Sequence, residues 1–118
     1  MRPDGKTNMT WSIIARDHAT GQFGIAVATK FFAVGARVPH IAATIGGIAT
    51  QALVNPYYGI DGVKLLREGL SPRETVDTLI AADSGRESRQ LHIMDSKGRI
   101  ISGDTTRGRI NVWTPDKQ

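Results

Sequence analysis

The sequence predicts a single α+β domain whose strands and helices form layers instead of alternating along the chain. Three observations predict this fold class: β-rich blocks open the chain, two adjacent helical stretches follow, and another β-rich block comes last. Strands grouped in blocks favour a layered α+β fold over a parallel, doubly wound sheet. A length of 118 residues suits one globular domain.

The first block predicts a β-hairpin. Residues 10–15 (TWSIIA) and 23–29 (FGIAVAT) are rich in strand-forming side chains. The separator RDHATGQ contains Asp17, Thr20 and Gly21, residue types that close hairpin loops. The opening of the chain therefore predicts two paired strands.

Two more strands are expected after a loop. Residues 30–40 (KFFAVGARVPH) are predicted to start that loop, because Gly35 and Pro39 disfavour a continuous strand. Residues 40–54 (HIAATIGGIATQALV) predict two strands joined at the glycine pair 46–47. A helix of small residues is the alternative, although two central glycines would cost roughly 2 kcal/mol relative to alanine.

Two helices are predicted next. Residues 59–68 (GIDGVKLLRE) place apolar side chains on one face. The second helix begins with Ser71 as N-cap and with Glu74 three residues later, the pattern of a capping box, and Gly85 is expected to end it. Both helices are expected to cover one face of the sheet formed by the first strands.

The last block predicts a second hairpin. Residues 89–95 (RQLHIMD) and 99–103 (RIISG) are its strands, and 109–113 is a weaker strand before a polar end. Residues 1–8 (MRPDGKTN) are expected to be a flexible tail, so the domain comprises residues 9–118.

Composition excludes several classes of protein. Apolar residues make up 40% and charged residues 22%, which is typical of globular proteins. No run is apolar enough for a membrane span or a signal peptide, so a cytoplasmic protein is expected. The chain has no cysteine, which excludes disulfides and thiol catalysis. The net charge of +4 includes no dense basic cluster, so nucleic acid is not expected as a partner.

No metal or cofactor is expected either. His18, His40 and His92 lie far apart, and no two of them have the spacing of metal ligands. The run Gly5-Lys6-Thr7 lacks the earlier glycine and the strand–helix context that a phosphate-binding loop requires.

The Met9-Thr10 pair has a chemical interpretation. A threonine at the start of a chain carries a free α-amine with a pKa of roughly 7.7–8.0, which can accept the proton of its own hydroxyl. An interior threonine has an amide nitrogen there, which is no base. A threonine that merely opens a strand is the common alternative.

Three blocks of the sequence together resemble one family. They are 9–39 (MTWSIIARDHATGQFGIAVATKFFAVGARVP), 48–59 (IATQALVNPYYG) with the preceding glycine, and a helical stretch ending in 79–99 (LIAADSGRESRQLHIMDSKGR). In order and spacing they are similar to the family labelled "domain of unknown function 1028", which is grouped with the N-terminal nucleophile (Ntn) hydrolases. The resemblance implies a four-layer αββα sandwich and a start at Met-Thr, matching Met9-Thr10.

The resemblance also implies roles for named residues. Thr10 would be the nucleophile that attacks an amide carbonyl, with its own amine as base. A nearby cation would lower the pKa of the hydroxyl, and Lys30 is the first candidate and Arg37 the second. Oxyanion donors would come from the backbone of residues 50–51 or from the side chains of Gln51 and Asn55.

The sequence departs from the family in two ways. Residues 1–8 precede the expected start, and while they are attached Thr10 has no free amine. Members of the family are nearly twice as long, so this chain is expected to supply the first sheet, the helix pair and the opening of the second sheet. Missing strands would leave an open sheet edge and an uncovered apolar face, so such a half domain would pair with another copy, remain partly molten or come from a truncated gene. Of these, a homo-oligomer is expected. The resemblance implies an Ntn-type amide hydrolase whose substrate the sequence does not name, with a small amide or peptide as the expected class, and a truncated domain of this kind would be inactive. The alternative is a non-catalytic oligomerisation or binding module of the same fold.

Overall fold

Strands and helices occupy separate layers of the molecule. The computed structural model describes residues 10–104 and 109–111. In chain order the elements are β1 (Trp11–Arg16), β2 (Phe23–Ala28), α1 (Val34–Arg37), β3 (Pro39–Ala42), β4 (Gly46–Ala52), α2 (Pro56–Arg67), α3 (Pro72–Ala81), a 3-10 turn (Arg86–Ser88), β5 (Arg89–Asp95), β6 (Ile100–Asp104) and β7 (Arg109–Asn111). The predicted tail (1–8), Met9 and the end of the last predicted strand (112–113) lie outside the described residues.

The first hairpin is confirmed and forms a two-stranded antiparallel sheet. The register pairs Trp11 with Ala28 at the open end. At the closed end, the carboxylate of Asp17 accepts hydrogen bonds from the N–H groups of Ala19 and Thr20 at 2.8 and 2.9 Å. These bonds satisfy loop N–H groups that the strands leave unpaired.

The five remaining strands form a second antiparallel sheet in the order β3-β4-β5-β6-β7. β4 and β5 pair over seven residues, from Gly46 with Asp95 to Ala52 with Arg89. The prediction that the first strands form one sheet under the helices is therefore wrong: β3 and β4 belong to this second sheet, and α2 and α3 pack against it. The reason is burial, since six of the seven residues of β4 are buried and need a layer on both faces.

The predicted turn at the glycine pair is also wrong. The chain turns at residues 43–45, where the Ile45 N–H donates to the Ala42 carbonyl at 3.1 Å. Gly46 is the first residue of β4, and a Cβ there would come within 2.5 Å of the Met94 carbonyl oxygen. The glycine permits close approach of two strands and does not form the turn.

Capping residues determine where the two long helices begin. The side chain of Asn55 accepts a hydrogen bond from the Tyr57 N–H at 3.1 Å, so α2 begins three residues earlier than predicted. Both bonds of the predicted capping box between Ser71 and Glu74 are present at the start of α3.

Two other helical features differ from the prediction. α3 ends at Ala81 instead of near Gly85, because the side chain of Asp83 accepts the Gly85 N–H at 2.8 Å and stabilises a turn. The segment predicted as a loop after β2 contains the single helical turn α1, in which the Val38 N–H donates to the Val34 carbonyl at 3.0 Å.

The five-stranded sheet separates two apolar clusters. The larger cluster lies between this sheet and the helices and comprises Ile48, Tyr58, Leu66, Val76, Leu79, Leu91, Ile93 and Ile101. The smaller cluster lies between the two sheets and comprises Ile14, Val38, Ala49 and Met94. The order of layers is therefore two-stranded sheet, five-stranded sheet and helices. In the described part of the chain, no helix is both long and apolar enough to cross a membrane.

Candidate functional site

Thr10 lies directly before β1 and opposite the end of β2. Its hydroxyl donates a hydrogen bond to the Thr29 hydroxyl at 3.1 Å. The hairpin register explains this contact, because the pair that follows Trp11 and Ala28 brings residues 10 and 29 together. Thr10 is half-buried. The hydroxyl is thus held in place and partly accessible.

Gln51 of β4 connects Thr10 to both sheets. Its side-chain N–H groups donate to the Thr10 carbonyl at 3.2 Å and to the Gln90 side-chain oxygen at 2.8 Å, and its own side-chain oxygen accepts from the Ser12 hydroxyl at 2.7 Å. Gln51 is only 5% exposed, so these bonds lie away from bulk water and hold the start of β1 firmly.

A pocket of about 180 Å³ opens beside Thr10. It forms where the start of β1, the segment around α1 and the end of β4 meet. Thr10, Arg37 and Gln51 line it, so the structure brings together three of the five predicted site residues. Most of the remaining lining is apolar: Phe31, Phe32, Val34, Val38, Leu53 and Val54.

Backbone strain occurs on both sides of this pocket. Ala33, between two lining residues, has φ +57°, and Ala52, itself a lining residue, has φ +67°. Left-handed φ values are uncommon for residues with a Cβ, and such strain clusters at functional sites. The geometry of the pocket is therefore maintained against local conformational preference.

Arg37 provides the positive charge of the pocket. It lies in the last turn of α1 and is exposed. Its side chain makes no hydrogen bond or ion pair with another described residue. Of the described residues that line the pocket, Arg37 alone is charged.

Lys30, the first candidate for the cation, lies elsewhere. It follows Thr29 directly, but it is exposed and is not among the described residues that line the pocket. The structure therefore brings Arg37, and not Lys30, to the pocket that contains Thr10.

Asn55 belongs to a different polar cluster. Besides capping α2, its side chain donates to the Asp83 carboxylate at 3.4 Å, and that carboxylate also accepts the Tyr58 hydroxyl at 2.7 Å. These residues line a larger cavity of about 430 Å³ beside α2 and α3. Because their polar groups bind one another, this cluster fixes the helix ends, and Asn55 does not reach the Thr10 pocket.

The Thr50 N–H and the side chain of Gln51, both predicted as oxyanion donors, already have hydrogen-bond partners. The Thr50 N–H donates to the Val38 carbonyl at 3.1 Å, so this predicted oxyanion donor has a partner within the fold. Both N–H groups of the Gln51 side chain are bound to Thr10 and Gln90. Gln51 is therefore placed to position Thr10 and not to donate to a ligand.

No group of three His, Asp or Glu side chains within the described residues is arranged to hold a metal ion. His92, on β5, is partly buried, and burial lowers its pKa because the charged imidazolium is desolvated. It pairs across the sheet with Ala49 and Ser102, which offer no carboxylate.

Sequence reasoning missed three polar residues around Thr10. They are Ser12, Thr29 and Gln90, which contact Thr10 directly or through Gln51. The hairpin register alone could have identified Thr29. The other two depend on how the two sheets pack against each other, and no local pattern in the sequence carries that information.

Comparison with known proteins places the chain in a family. Among curated proteins, none matches the sequence. The crystal structure of protein SPO2555 from Silicibacter pomeroyi, which carries the family label DUF1028, is similar to this fold with a TM-score of 0.79 and 35% sequence identity. The match covers 82% of this chain and 43% of that one, so the chain spans less than half the length of that relative. The model of the family of unknown function DUF1028 matches residues 10–116. The chain therefore belongs to the DUF1028 family, as its sequence blocks predicted.

Proposed function

We propose that this protein is an Ntn-type amide hydrolase in which Thr10 is the nucleophile. The observation that carries the proposal is the placement of Thr10. Its hydroxyl is bonded to the side chain of Thr29, which directly follows β2, and its carbonyl to the side chain of Gln51 in β4. Both bonds lie at the edge of a pocket that also contains Arg37. The packing of two sheets with helices on one outer side supports an Ntn-like layering.

The chemistry begins when Thr10 is the first residue of the chain. Its neutral α-amine takes the proton from Oγ1, and Oγ1 attacks the carbonyl carbon of the amide. The C–N bond then breaks, the departing amine takes that proton, and the acyl group remains as an ester on Oγ1. The α-amine of Thr10 then removes a proton from a water molecule, and this water hydrolyses the ester and restores Thr10.

The surrounding side chains support this role in different ways. Gln51 is a positioning residue, since it fixes the Thr10 carbonyl and thereby the orientation of the amine and hydroxyl. Arg37 supplies positive charge at the pocket. Lys30 is exposed outside it, so we assign it no role in the chemistry.

The experiment compares two forms of the protein: the 118-residue chain and a form that begins at Thr10. Each is incubated with a β-lactone, which acylates activated hydroxyls, and the adduct is located by peptide mass spectrometry. We expect an adduct on Thr10 in the form with the free amine and none on Thr10 in the longer chain. Thr10→Ala controls for background labelling. Equal labelling of Thr10 in both forms, or none in either, would overturn the proposal.

A specific observation favours the alternative, a non-catalytic oligomerisation module. Trp11 and Ile13 are 67% and 64% exposed on the face of β1 that points away from the second sheet. Large apolar side chains on one exposed sheet face mark interaction surfaces. Under this alternative Thr10 merely opens β1, and the lactone experiment above distinguishes the two functions.

A further inference from the structure

The size and lining of the Thr10 pocket limit what it can bind. Its volume is about 180 Å³. A dry cavity of roughly 150 Å³ accommodates benzene. Phe31 and Phe32 on its rim are 56% and 94% exposed, so an apolar ligand group would cover side chains that now face water. The pocket therefore has room for one apolar group of about the size of a phenyl ring.

The charge of the pocket adds a second requirement. Arg37 is the one charged side chain among its described lining residues, and it has no partner among the described residues. A guanidinium presents planar paired donors that match a carboxylate, and such bonds are stronger than those between neutral groups. A phosphate would be better served by several cations, whereas a single arginine balances a single carboxylate.

Exposure argues against an oxyanion role for Arg37. Stabilising a transient oxyanion depends on donors held rigidly in a site that excludes water. Arg37 is exposed on a helix of one turn, which suits capture of a permanent charge on an incoming ligand.

On these grounds we infer that the substrate is a small amide that carries both an apolar side chain of up to phenyl size and a carboxylate, and that Arg37 binds this carboxylate. N-acyl amino acids and short peptides with a free C-terminus belong to this class. To call this ligand a substrate rests on the proposed hydrolase function, whereas the predicted binding preference does not depend on it.

The test measures binding and needs no turnover. N-acetyl-L-phenylalanine and its neutral primary amide are titrated into the 118-residue protein by NMR at low salt. We expect the carboxylate to bind at least about tenfold more tightly than the amide, the effect of a charge-assisted hydrogen bond. Arg37→Gln should remove this preference and Arg37→Lys should keep part of it. Arg67→Gln, an equal loss of charge at an exposed position of α2 outside the pocket, should leave it unchanged.

Each outcome decides between the two proposals. Equal binding of the two probes, a preference that survives Arg37→Gln, or no saturable binding at millimolar concentration overturns the inferred substrate class. An Arg37-dependent preference without lactone labelling of Thr10 supports the anion site and overturns the hydrolase. Lactone labelling of Thr10 without an Arg37-dependent preference supports the hydrolase and overturns the anion site.

Discussion

The side-chain amide of Gln51 donates a hydrogen bond to the Thr10 carbonyl, joining residues 41 positions apart at a distance of 3.2 Å. Thr10 leads into the two-stranded sheet, and Gln51 belongs to the five-stranded sheet. The same amide binds Ser12 and Gln90. One buried side chain therefore determines where the start of β1 sits relative to the second sheet.

Replacing Gln51 should affect stability and reactivity together. Gln51→Leu keeps a similar volume but leaves Ser12, Gln90 and the Thr10 carbonyl without their partner. We expect the free energy of unfolding to fall by about 2–3 kcal/mol, the cost of leaving buried polar groups unpaired. In the form that begins at Thr10, lactone labelling should slow at least about tenfold, because the hydroxyl and amine lose their fixed orientation. Urea unfolding and the labelling rate measure the two effects.

Gln22→Leu is the matched control, since Gln22 is exposed in the first hairpin loop. It makes the same chemical change without removing a buried hydrogen bond. If both variants unfold at the same urea concentration, Gln51 does not hold the two sheets together. If Gln51→Leu loses stability but labels at the normal rate, it does not position Thr10.

Two glycine-to-alanine changes should have opposite effects. At Gly46, a Cβ would lie 2.5 Å from the Met94 carbonyl oxygen and 2.9 Å from Leu66 Cδ1, so Gly46→Ala forces β4 away from β5 or from α2. We expect a loss of about 1–3 kcal/mol in the free energy of unfolding. At Gly35 in α1 nothing lies within 4 Å of a Cβ, and Gly35→Ala should gain roughly 0.5–1 kcal/mol. Thermal unfolding compares the two, and a loss at Gly35 equal to that at Gly46 would contradict the steric argument.

Local signals in the sequence predicted the elements better than their assembly. The first hairpin and the capping box at Ser71 depend on neighbouring residues, and both are confirmed. The assignment of β3 and β4 to the first sheet was wrong, because the partner of β4 is β5, whose first residue lies 37 positions beyond Ala52, with two helices in between. Nothing within β4 itself specifies that partner.

The candidate site was predictable only in part, for the same reason. Thr10, Arg37 and Gln51 come together at one pocket, whereas Lys30 and Asn55 lie outside it. Asn55 is directed to Asp83 by helix capping, and the Thr50 N–H is used by Val38. Competing hydrogen bonds decide which polar residues remain available, and these bonds join distant parts of the chain.

The free energy of unfolding should decrease as the pH falls, because the Asp83 carboxylate becomes protonated. Its carboxylate is bonded to Arg89 Nε at 3.0 Å and to the Tyr58 hydroxyl at 2.7 Å, and its side chain is 11% exposed. The guanidinium of Arg89 first, and then the Tyr58 hydroxyl, hold the pKa of Asp83 well below its ordinary value. A carboxyl with a lower pKa in the folded state contributes stability that is fully present above the unfolded pKa of about 4 and is lost as the pH falls below it.

Asp83→Asn tests this contribution. At pH 7 we expect the variant to lose about 2–3 kcal/mol in the free energy of unfolding, because Arg89 and Tyr58 both lose a largely buried carboxylate that they bind. The variant should also lose part of the decline that the wild-type protein shows below about pH 4. Asp77→Asn is the control, since its ion pair with Arg73 is more than half exposed and should contribute less than about 1 kcal/mol. If the free energy of unfolding of Asp83→Asn declined below about pH 4 as steeply as that of the wild-type protein, Asp83 would not be the source of this decline.

Self-association should depend on the outer face of β1. Trp11 and Ile13 point away from the second sheet, and the β2 residues on that face are small: Gly24, Ala26 and Ala28. No described residue covers this apolar face, so we expect the chain to form homo-oligomers through it.

Analytical ultracentrifugation should find a mass that rises with concentration for the wild-type protein and a monomer for the double variant Trp11→Thr, Ile13→Thr. Ile41→Thr removes a 47% exposed isoleucine from β3 and should leave the association unchanged. A wild-type protein that stays monomeric, or a double variant that associates as before, would show that this face is not the interface. Either result would also count against the non-catalytic oligomerisation module, because the exposed face of β1 is the observation that favours it.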